Sequence, residues 1–267
     1  MSLGRRKVGL DDPARWVFNR MADVYDARPP YPAALVDALA ALAGPPGSRV
    51  ADLGAGIGHV ALPLAARGYD VTAVEPAGEM LDRLRAQAAA RGLTLEASHG
   101  TAEALPTPAR PFDLVVVSDA LHFMDAQLLG ETLARVLRHQ GALAVVTCAL
   151  GETPFMRDLL AIIGDAVPRR PRSVARQLAQ VTSIARTPLG EEQRFDDETP
   201  VDHAQLERIL RSISFVGPAM NAQRFEAFRA RVRALPASPA WARQFTLRAG
   251  RRVVRRQPTR LAPSRAR

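Results

Sequence analysis

The sequence is poor in cysteine and lysine. It contains a single cysteine, Cys148, and a single lysine, Lys7. One cysteine excludes an internal disulfide, and because Cys148 lies in an apolar run, we expect it to pack in the interior rather than to react. No apolar run approaches the ~18 residues that span a bilayer, and no hydrophobic stretch near residue 1 is typical of a secretory signal. We therefore expect a globular, cytoplasmic protein with no membrane partner.

Acidic residues are missing from the C-terminal part of the chain. The formal net charge is +9, yet residues 227–267 hold twelve arginines and no acid. The other 24 basic and 27 acidic residues leave the rest of the chain close to neutral. A basic segment attracts acidic partners, so nucleic acid has to be weighed as one of them.

Short apolar runs alternate with helical patterns between residues 49 and 150. The runs are VADL at 50–53, VTAV at 71–74, TLEA at 94–97, FDLVVV at 112–117 and ALAVVTCA at 142–149. Strands that alternate with helices in this way are typical of βαβ units, which form a parallel sheet. We therefore predict an α/β fold with a doubly wound, mostly parallel sheet.

The segments on either side of this core complete the predicted domain organisation. Residues 1–48 form N-terminal helices, and two helical stretches near 154–165 and 173–185 predict a cap within 151–190. Residues 191–257 complete the sheet with an antiparallel last strand, in which Phe245, Leu247 and Ala249 alternate with polar residues, as in an edge strand. Residues 191–202 show little alternation, and residues 258–267 are predicted to be a flexible tail.

The sharpest local motif is VADLGAGIGHV at residues 50–60. An apolar strand ends there in a turn with Gly54, Gly56 and Gly58, where the lack of a Cβ lets a ligand lie directly on the backbone. Asp52 precedes the turn, and Glu75 ends the next strand. A carboxylate in the second position can accept both hydroxyls of a ribose, so we predict a nucleoside ligand.

A nicotinamide dinucleotide site is the alternative interpretation of the same motif. The spacing G-x-G-x-G differs from the G-x-G-x-x-G of such sites, in which the third glycine lets helix and strand approach. Asp52 stands two residues before the first glycine, where it would repel a pyrophosphate but attract an ammonium or sulfonium group. The motif therefore favours a cationic nucleoside.

Five further motifs strengthen this interpretation because they occur together and in order. They are FNRMADVYDARPPYP at 18–32, AVEPAGEML at 73–81, GTAEALP at 100–106, FDLVVVSDALHFMD at 112–125 and LARVLRHQGALAVV at 133–146. In this combination the chain resembles the class I S-adenosylmethionine-dependent methyltransferases, nearest to the branch that includes trans-aconitate methyltransferase. The resemblance implies a Rossmann-like fold, S-adenosylmethionine as cofactor and S-adenosylhomocysteine as product.

The resemblance also assigns a cofactor-binding set. Asp52 and the glycine turn would hold the methionine portion, Glu75 the ribose, and Ser118 would line the methionine end, while Tyr25 closes over the cofactor. The full set is Tyr25, Asp52, Gly54, Ala55, Gly56, Gly58, Glu75, Pro76, Met80, Thr101, Ala102, Glu103 and Ser118.

The adenine end of this set contains one departure from the family pattern. Pro76 and Met80 would pack on the adenine, and the backbone of Ala102 would meet its edge. Thr101 stands where the family usually has an acid, which puts the contact to the adenine amine in doubt.

Residues for the methyl acceptor come from the fourth strand and the N-terminal segment. His122 lies just beyond that strand, where the methyl group should point, and is the predicted base for an acceptor that needs one. It also fits a residue that only shapes the pocket. The catalytic candidates are His122, Tyr25 and Tyr31, and Asp119 is a weaker candidate base. The predicted substrate-binding residues are His122, Arg28 and Tyr31. The remaining histidines show no ligand spacing, so no metal is expected.

Three functions stay open on the sequence alone. Methylation of a small organic molecule fits best, as O-methylation of a carboxylate or hydroxyl in specialised metabolism, with C- or N-methylation as variants. Methylation of tRNA or another nucleic acid through the basic C-terminus is the second, although interleaved aromatic residues are absent there. The third is a protein that binds S-adenosylmethionine without methyl transfer. A monomer or a homodimer is compatible with each.

Overall fold

The computed structural model describes residues 16–167, 174–235 and 239–253. Its strands are β1 (Arg49–Leu53), β2 (Asp70–Glu75), β3 (Glu96–His99), β4 (Phe112–Ser118), β5 (Leu137–Leu150), β6 (Glu192–Pro200) and β7 (Ala240–Arg251). Its helices are α1 (Trp16–Asn19), α2 (Ala22–Tyr25), α3 (Ala33–Ala43), α4 (Ala61–Ala65), α5 (Gly78–Ala90), α6 (Ala126–Val136), α7 (Pro154–Ala166), α8 (Ala175–Ala185), α9 (His203–Arg211) and α10 (Ala222–Arg233).

The strands form one seven-stranded sheet in the order β3-β2-β1-β4-β5-β7-β6. The first five strands are parallel, and β7 is antiparallel to β5. Helices cover both faces, which is why β1, β2 and β4 are nearly continuous apolar runs. One buried cluster joins the sheet to α3 and α4 through Leu39 and Leu64, and another joins it to α6 and α8 through Leu133 and Val181. The predicted doubly wound α/β fold is confirmed.

The position of the last strand differs from the prediction. β7 lies between β5 and β6, so the strand through Phe245 is not an edge strand. The edge is β6, which falls in the segment where the sequence showed little alternation. Its exposed side chains include Glu192, Asp196 and Glu198, while Phe195 is half-buried. A charged edge of this kind resists pairing with another chain, and the same charges hide the strand pattern.

The two helices after β5 pack in different places. α7 shares a buried cluster with α9, α10 and Trp241, through residues such as Leu159 and Ile163. α8 instead packs on α6, where a Cβ on Gly130 would lie 2.7 Å from a carbon of Ile184. Of these two helices, only α7 contributes residues to a cavity at the C-terminal ends of the strands, and the cap over a substrate stays a prediction.

The N-terminal segment also differs in detail from its predicted two helices, because its first half is divided into α1 and α2. Met21 separates the two short helices and is almost fully buried. The predicted tail at 258–267 lies outside the described residues. Within the described ranges, no helix has both the length and the apolar character that crossing a membrane requires.

Candidate active site

A cavity of about 720 Å³ lies at the C-terminal ends of the parallel strands. This is the edge of an open α/β sheet at which ligands usually bind. One wall comes from the ends of β1, β2 and β4 together with the turns that follow them. The opposite wall comes from α7, the segment after α9 and the start of β7, and the segment after α2 closes one side.

The three glycines of the turn after β1 meet two different needs. Gly56 has φ +56°, and no heavy atom lies within 4 Å of the place that a Cβ would take, so its backbone faces open space in the cavity wall. A Cβ on Gly54 would instead lie 2.7 Å from Ala120, and one on Gly58 2.7 Å from Leu62. Gly56 therefore leaves room for a ligand, whereas Gly54 and Gly58 leave room for neighbouring protein atoms.

Asp52 is a buried carboxyl beneath this turn, with 1% of its surface exposed. Its Oδ2 accepts a hydrogen bond from the backbone N–H of Ala61 at 3.1 Å. Burial raises the pKa of Asp52 to about 7, the Ala61 hydrogen bond lowers it, and the nearby charge of Glu75 raises it further. A positively charged ligand in the cavity would favour the ionised form of this carboxyl.

Glu75 ends β2 on the other side of the turn and is 6% exposed. Its Oε2 accepts a hydrogen bond from the N–H of Gly56, and its Oε1 accepts one from the N–H of Ala77, both at 2.8 Å. These bonds fix the carboxylate in the cavity wall. A carboxylate oxygen has two lone pairs, so a carboxylate is a suitable acceptor for hydroxyl groups.

Tyr31 reaches the end of β4 from the N-terminal segment. Its Oη lies 2.9 Å from Ser118 Oγ, and its ring stacks on His59 with centroids 5.3 Å apart. Burial raises the pKa of Tyr31 well above its ordinary value and lowers the pKa of His59 to about 3. Both groups are therefore neutral hydrogen-bonding groups at physiological pH.

Arg28 stands beside Tyr25 and is held by the chain itself. Its Nε and one terminal nitrogen donate to Ser212 Oγ and Ser212 O at 2.8 and 2.7 Å. The other terminal nitrogen donates to Tyr25 Oη at 3.0 Å. Arg28 thereby ties the N-terminal segment to the end of α9.

Arg243 of β7 secures the same segment from the other side and is 6% exposed. It donates to the carbonyl oxygens of Pro29 and Pro30 at 2.9 and 2.6 Å, and it forms an ion pair with Asp197 of β6. The two carbonyls immediately precede Tyr31, so this contact fixes where the Tyr31 side chain enters the cavity.

Comparison with known proteins identifies the family. The family model described as a methyltransferase domain matches residues 50–141. An uncharacterized methyltransferase of Mycobacterium tuberculosis is 38% identical over 175 residues, which are 64% of this chain and 67% of that protein. This chain belongs to the class I S-adenosylmethionine-dependent methyltransferases.

Solved structures share the fold of this methyltransferase. A putative type II methyltransferase from Anaeromyxobacter dehalogenans has a TM-score of 0.59 at 21% identity, over 85% of this chain and 98% of that one. A geranyl diphosphate methyltransferase in complex with S-adenosylmethionine has a TM-score of 0.51 at 15% identity, over 92% and 94% of the two chains.

Most of the predicted site residues lie in the wall of this cavity. Those that line it are Tyr25, Arg28, Tyr31, Asp52, Gly54, Ala55, Gly56, Glu75, Pro76, Met80, Thr101, Ala102, Glu103 and Ser118. Gly58 and His122 do not line it. Gly58 packs against α4, and the ring of His122 lies 3.9 Å from that of Phe123, measured between centroids.

Several residues of the cavity wall were not assigned to the site from sequence. Arg243, Trp241 and the side chains of α7 are distant in the sequence from the glycine motif, and no local pattern marks them. Asp119, in contrast, is the weaker candidate base that the sequence offered, and it directly follows β4 with φ +48°, a backbone conformation that is uncommon for residues other than glycine. It is exposed and lines the cavity.

Cys148 also lines the cavity but is not a reactive thiol. Burial raises its pKa to about 12, and the nearby Asp119 carboxylate raises it further. The thiol therefore stays protonated at neutral pH. Among the described residues, no group of three or more histidine, cysteine or acidic side chains is arranged to hold a metal ion.

Proposed function

We propose that this methyltransferase binds S-adenosylmethionine on the glycine turn and transfers its methyl group to an oxygen atom of a small organic molecule. The observation that carries the proposal is the open backbone at Gly56 between two buried acids, Asp52 and Glu75, in a single cavity. A glycine position that protein atoms leave empty, with carboxyls on both sides, suits a cationic nucleoside better than a pyrophosphate.

The wall residues fit the cofactor part by part. Asp52 would face the ammonium group of the methionine portion, since burial makes its carboxyl a strong partner for a cation. Glu75, which the N–H groups of Gly56 and Ala77 fix in the cavity wall, would accept the ribose hydroxyls. Pro76 and Met80 offer apolar surface for the adenine, with Thr101, Ala102 and Glu103 across from them.

The work of the protein in this reaction is alignment and exclusion of water. When bound, the cofactor supplies a methyl group on a positively charged sulfur. Tyr31 and Ser118, joined by their hydrogen bond, would orient the acceptor at the end of β4. The apolar side chains of α7 exclude water from the other side, which strengthens electrostatic contacts inside the cavity.

Proton removal depends on the acceptor. A carboxylate acceptor is already ionised and needs no base. For a hydroxyl acceptor, the geometry favours Asp119 as base over His122, because the Asp119 carboxylate stands in the cavity wall and His122 does not line the cavity. Burial raises the pKa of Tyr25 as well as that of Tyr31, so both would act as neutral hydrogen-bond partners.

The contacts of the C-terminal arginines support a small acceptor rather than a nucleic acid. Arg229 and Arg233 pair with Glu207, and Arg231 pairs with Asp165. Three of the next four bind within the sheet, where Arg243 contacts Asp197, Arg251 contacts Gln140 O and Arg252 contacts Leu137 O. These arginines hold elements together, so they are not arranged as a continuous phosphate-binding surface.

Titration with S-adenosylhomocysteine tests the cofactor half of the proposal. We expect the wild type to bind it and Glu75→Gln to bind it at least about tenfold more weakly, because hydrogen bonds to a charged acceptor are lost. Glu79→Gln, on the exposed face of α5, is the matched control and should bind normally. Absence of binding at millimolar ligand, or equal affinity of the two variants, would contradict the proposed site.

The transfer half is tested by incubating the protein with methyl-labelled cofactor and a fractionated small-molecule extract. We expect label in an organic product that mass spectrometry identifies as an O-methyl compound. Label that appears only in added tRNA would instead support the nucleic-acid function.

A further inference from the structure

One half of the cavity is built from elements that do not take part in the glycine turn. It lies over the β5–β7 side of the sheet, and the proposed cofactor half lies over β1, β2 and β3. We call it the apolar chamber, and its wall consists of Leu150, Leu160, Ile163, Ile213, Phe215 and Trp241. Ile163, Ile213 and Trp241 are between 4% and 6% exposed, so they form a firm apolar surface.

We propose that the apolar chamber selects a methyl acceptor with an apolar body and one polar reacting group, and that it rejects polycarboxylic acids. The inference rests on the proposed function, since it concerns the second substrate of the same cavity. The chamber adjoins Cys148 and Ala149 at the end of β5, next to Ser118 and Asp119. An acceptor seated in the chamber would therefore present its polar end at the C-terminal end of β4.

The cationic side chains of the cavity wall are already engaged by the protein. Every nitrogen of Arg28 donates to Tyr25 or Ser212. Every nitrogen of Arg243 donates to Asp197 or to a proline carbonyl. A polycarboxylate would need several such cations free, because a buried carboxylate without a partner is costly.

The acidic side chains of the cavity oppose a polyanion further. Glu103 and Asp119 line the wall, against two arginines, together with Asp52 and Glu75, which the bound cofactor would engage. Like charges in a partly enclosed cavity repel strongly, and the repulsion grows with each carboxylate on the ligand. A ligand with one carboxylate or hydroxyl incurs less of this cost than a polyanion does, and the remainder of the ligand gains from apolar burial.

A substitution at Leu160 alters the apolar chamber without disturbing the buried core. It is 36% exposed on α7 and lines the cavity. Val253 is a second exposed apolar residue, 47% exposed, and it does not line the cavity. Leu160→Asn and Val253→Asn therefore form a matched pair of variants.

The experiment measures binding of straight-chain monocarboxylates, from butanoate to decanoate, to the full chain saturated with S-adenosylhomocysteine, below their micelle concentrations. Citrate is the polycarboxylate probe. We expect affinity to rise about three- to fourfold per added methylene, as burial of a CH₂ group predicts, and citrate to bind more weakly than octanoate. Leu160→Asn should weaken decanoate binding about fivefold, and Val253→Asn should leave it unchanged.

The outcomes separate the two proposals. Normal binding of S-adenosylhomocysteine with no dependence on chain length, or with citrate as the tightest acid, would overturn the inference and leave the proposed function standing. Equal weakening by both asparagine variants would show that the acids bind outside the chamber, and this would also overturn it. If calorimetry shows no binding of S-adenosylhomocysteine, the same acids are titrated into the protein alone, and a chain-length series there would overturn the proposed function while it supports the selectivity of the chamber.

Discussion

Replacing Asp52 with asparagine should make the empty protein more stable while it removes cofactor binding. Burial raises the pKa of this carboxyl from 3.8 to about 7, so the folded state holds its proton more tightly than the unfolded state does. The stabilisation that this proton provides is complete below pH 4 and is lost as the pH rises through 7. At pH 8 the ionised, buried carboxylate costs about 4 kcal/mol, a penalty that a neutral asparagine avoids.

The assay is thermal unfolding of the wild type and Asp52→Asn without cofactor, at pH 5 and pH 8. We expect the variant to unfold about 10 °C higher at pH 8 and only a few degrees higher at pH 5. Asparagine can still accept the hydrogen bond from Ala61, so the local fold should persist. Titration with S-adenosylhomocysteine should show that the stable variant has lost most of its affinity.

The matched control is Asp158→Asn on the exposed face of α7, which should leave the unfolding temperature nearly unchanged at both pH values. Equal unfolding temperatures for the wild type and Asp52→Asn at pH 8, or a difference that does not vary with pH, would refute the reasoning. Either result would mean that Asp52 ionises at an ordinary pKa in the folded protein.

Three further predictions follow from contacts in the cavity wall. Gly56→Ala should lower the free energy of unfolding by only about 1 kcal/mol but abolish binding of S-adenosylhomocysteine. Gly58→Ala should lower the free energy of unfolding by about 2–4 kcal/mol, because its Cβ would clash with leucines of α4 and α5. Arg243→Lys should weaken binding of S-adenosylhomocysteine about five- to tenfold in calorimetry, because lysine lacks the planar guanidinium that contacts both proline carbonyls and the Asp197 carboxylate. Arg248→Lys is the control. Because burial raises the pKa of Cys148 to about 12, iodoacetamide at pH 8 should modify it at least about a hundredfold more slowly than a free thiol, and rapid labelling would show that its pKa is not raised.

The sequence predicts the parts of this protein that depend on local pattern. The five parallel strands, and the helices that alternate with them along the chain, follow from apolar runs that are buried on both faces. The glycine turn and its two acids are adjacent to strand ends, so Asp52, Gly56 and Glu75 could be assigned before any contact was known.

Features set by distant contacts could not be predicted in the same way. The position of β7 between β5 and β6 depends on pairing across the sheet, and the charged β6 shows no strand pattern. The wall opposite the cofactor half comes from α7, Ile213 and Trp241, which share no motif. His122 follows the fourth strand in sequence as expected, yet the chain turns so that Asp119 rather than His122 lines the cavity.

The contact between Arg243 and the two proline carbonyls makes the cavity wall depend on a strand that is synthesised late. The glycine turn and both acids are complete once residue 75 has been made, but the strand that secures the segment before Tyr31 begins only at residue 240. A nascent chain that carries every family motif would therefore still have a loose wall beside its ligand. Insertion of the final strand completes the sheet and closes that wall in one event, so truncated chains should be inactive rather than partly active.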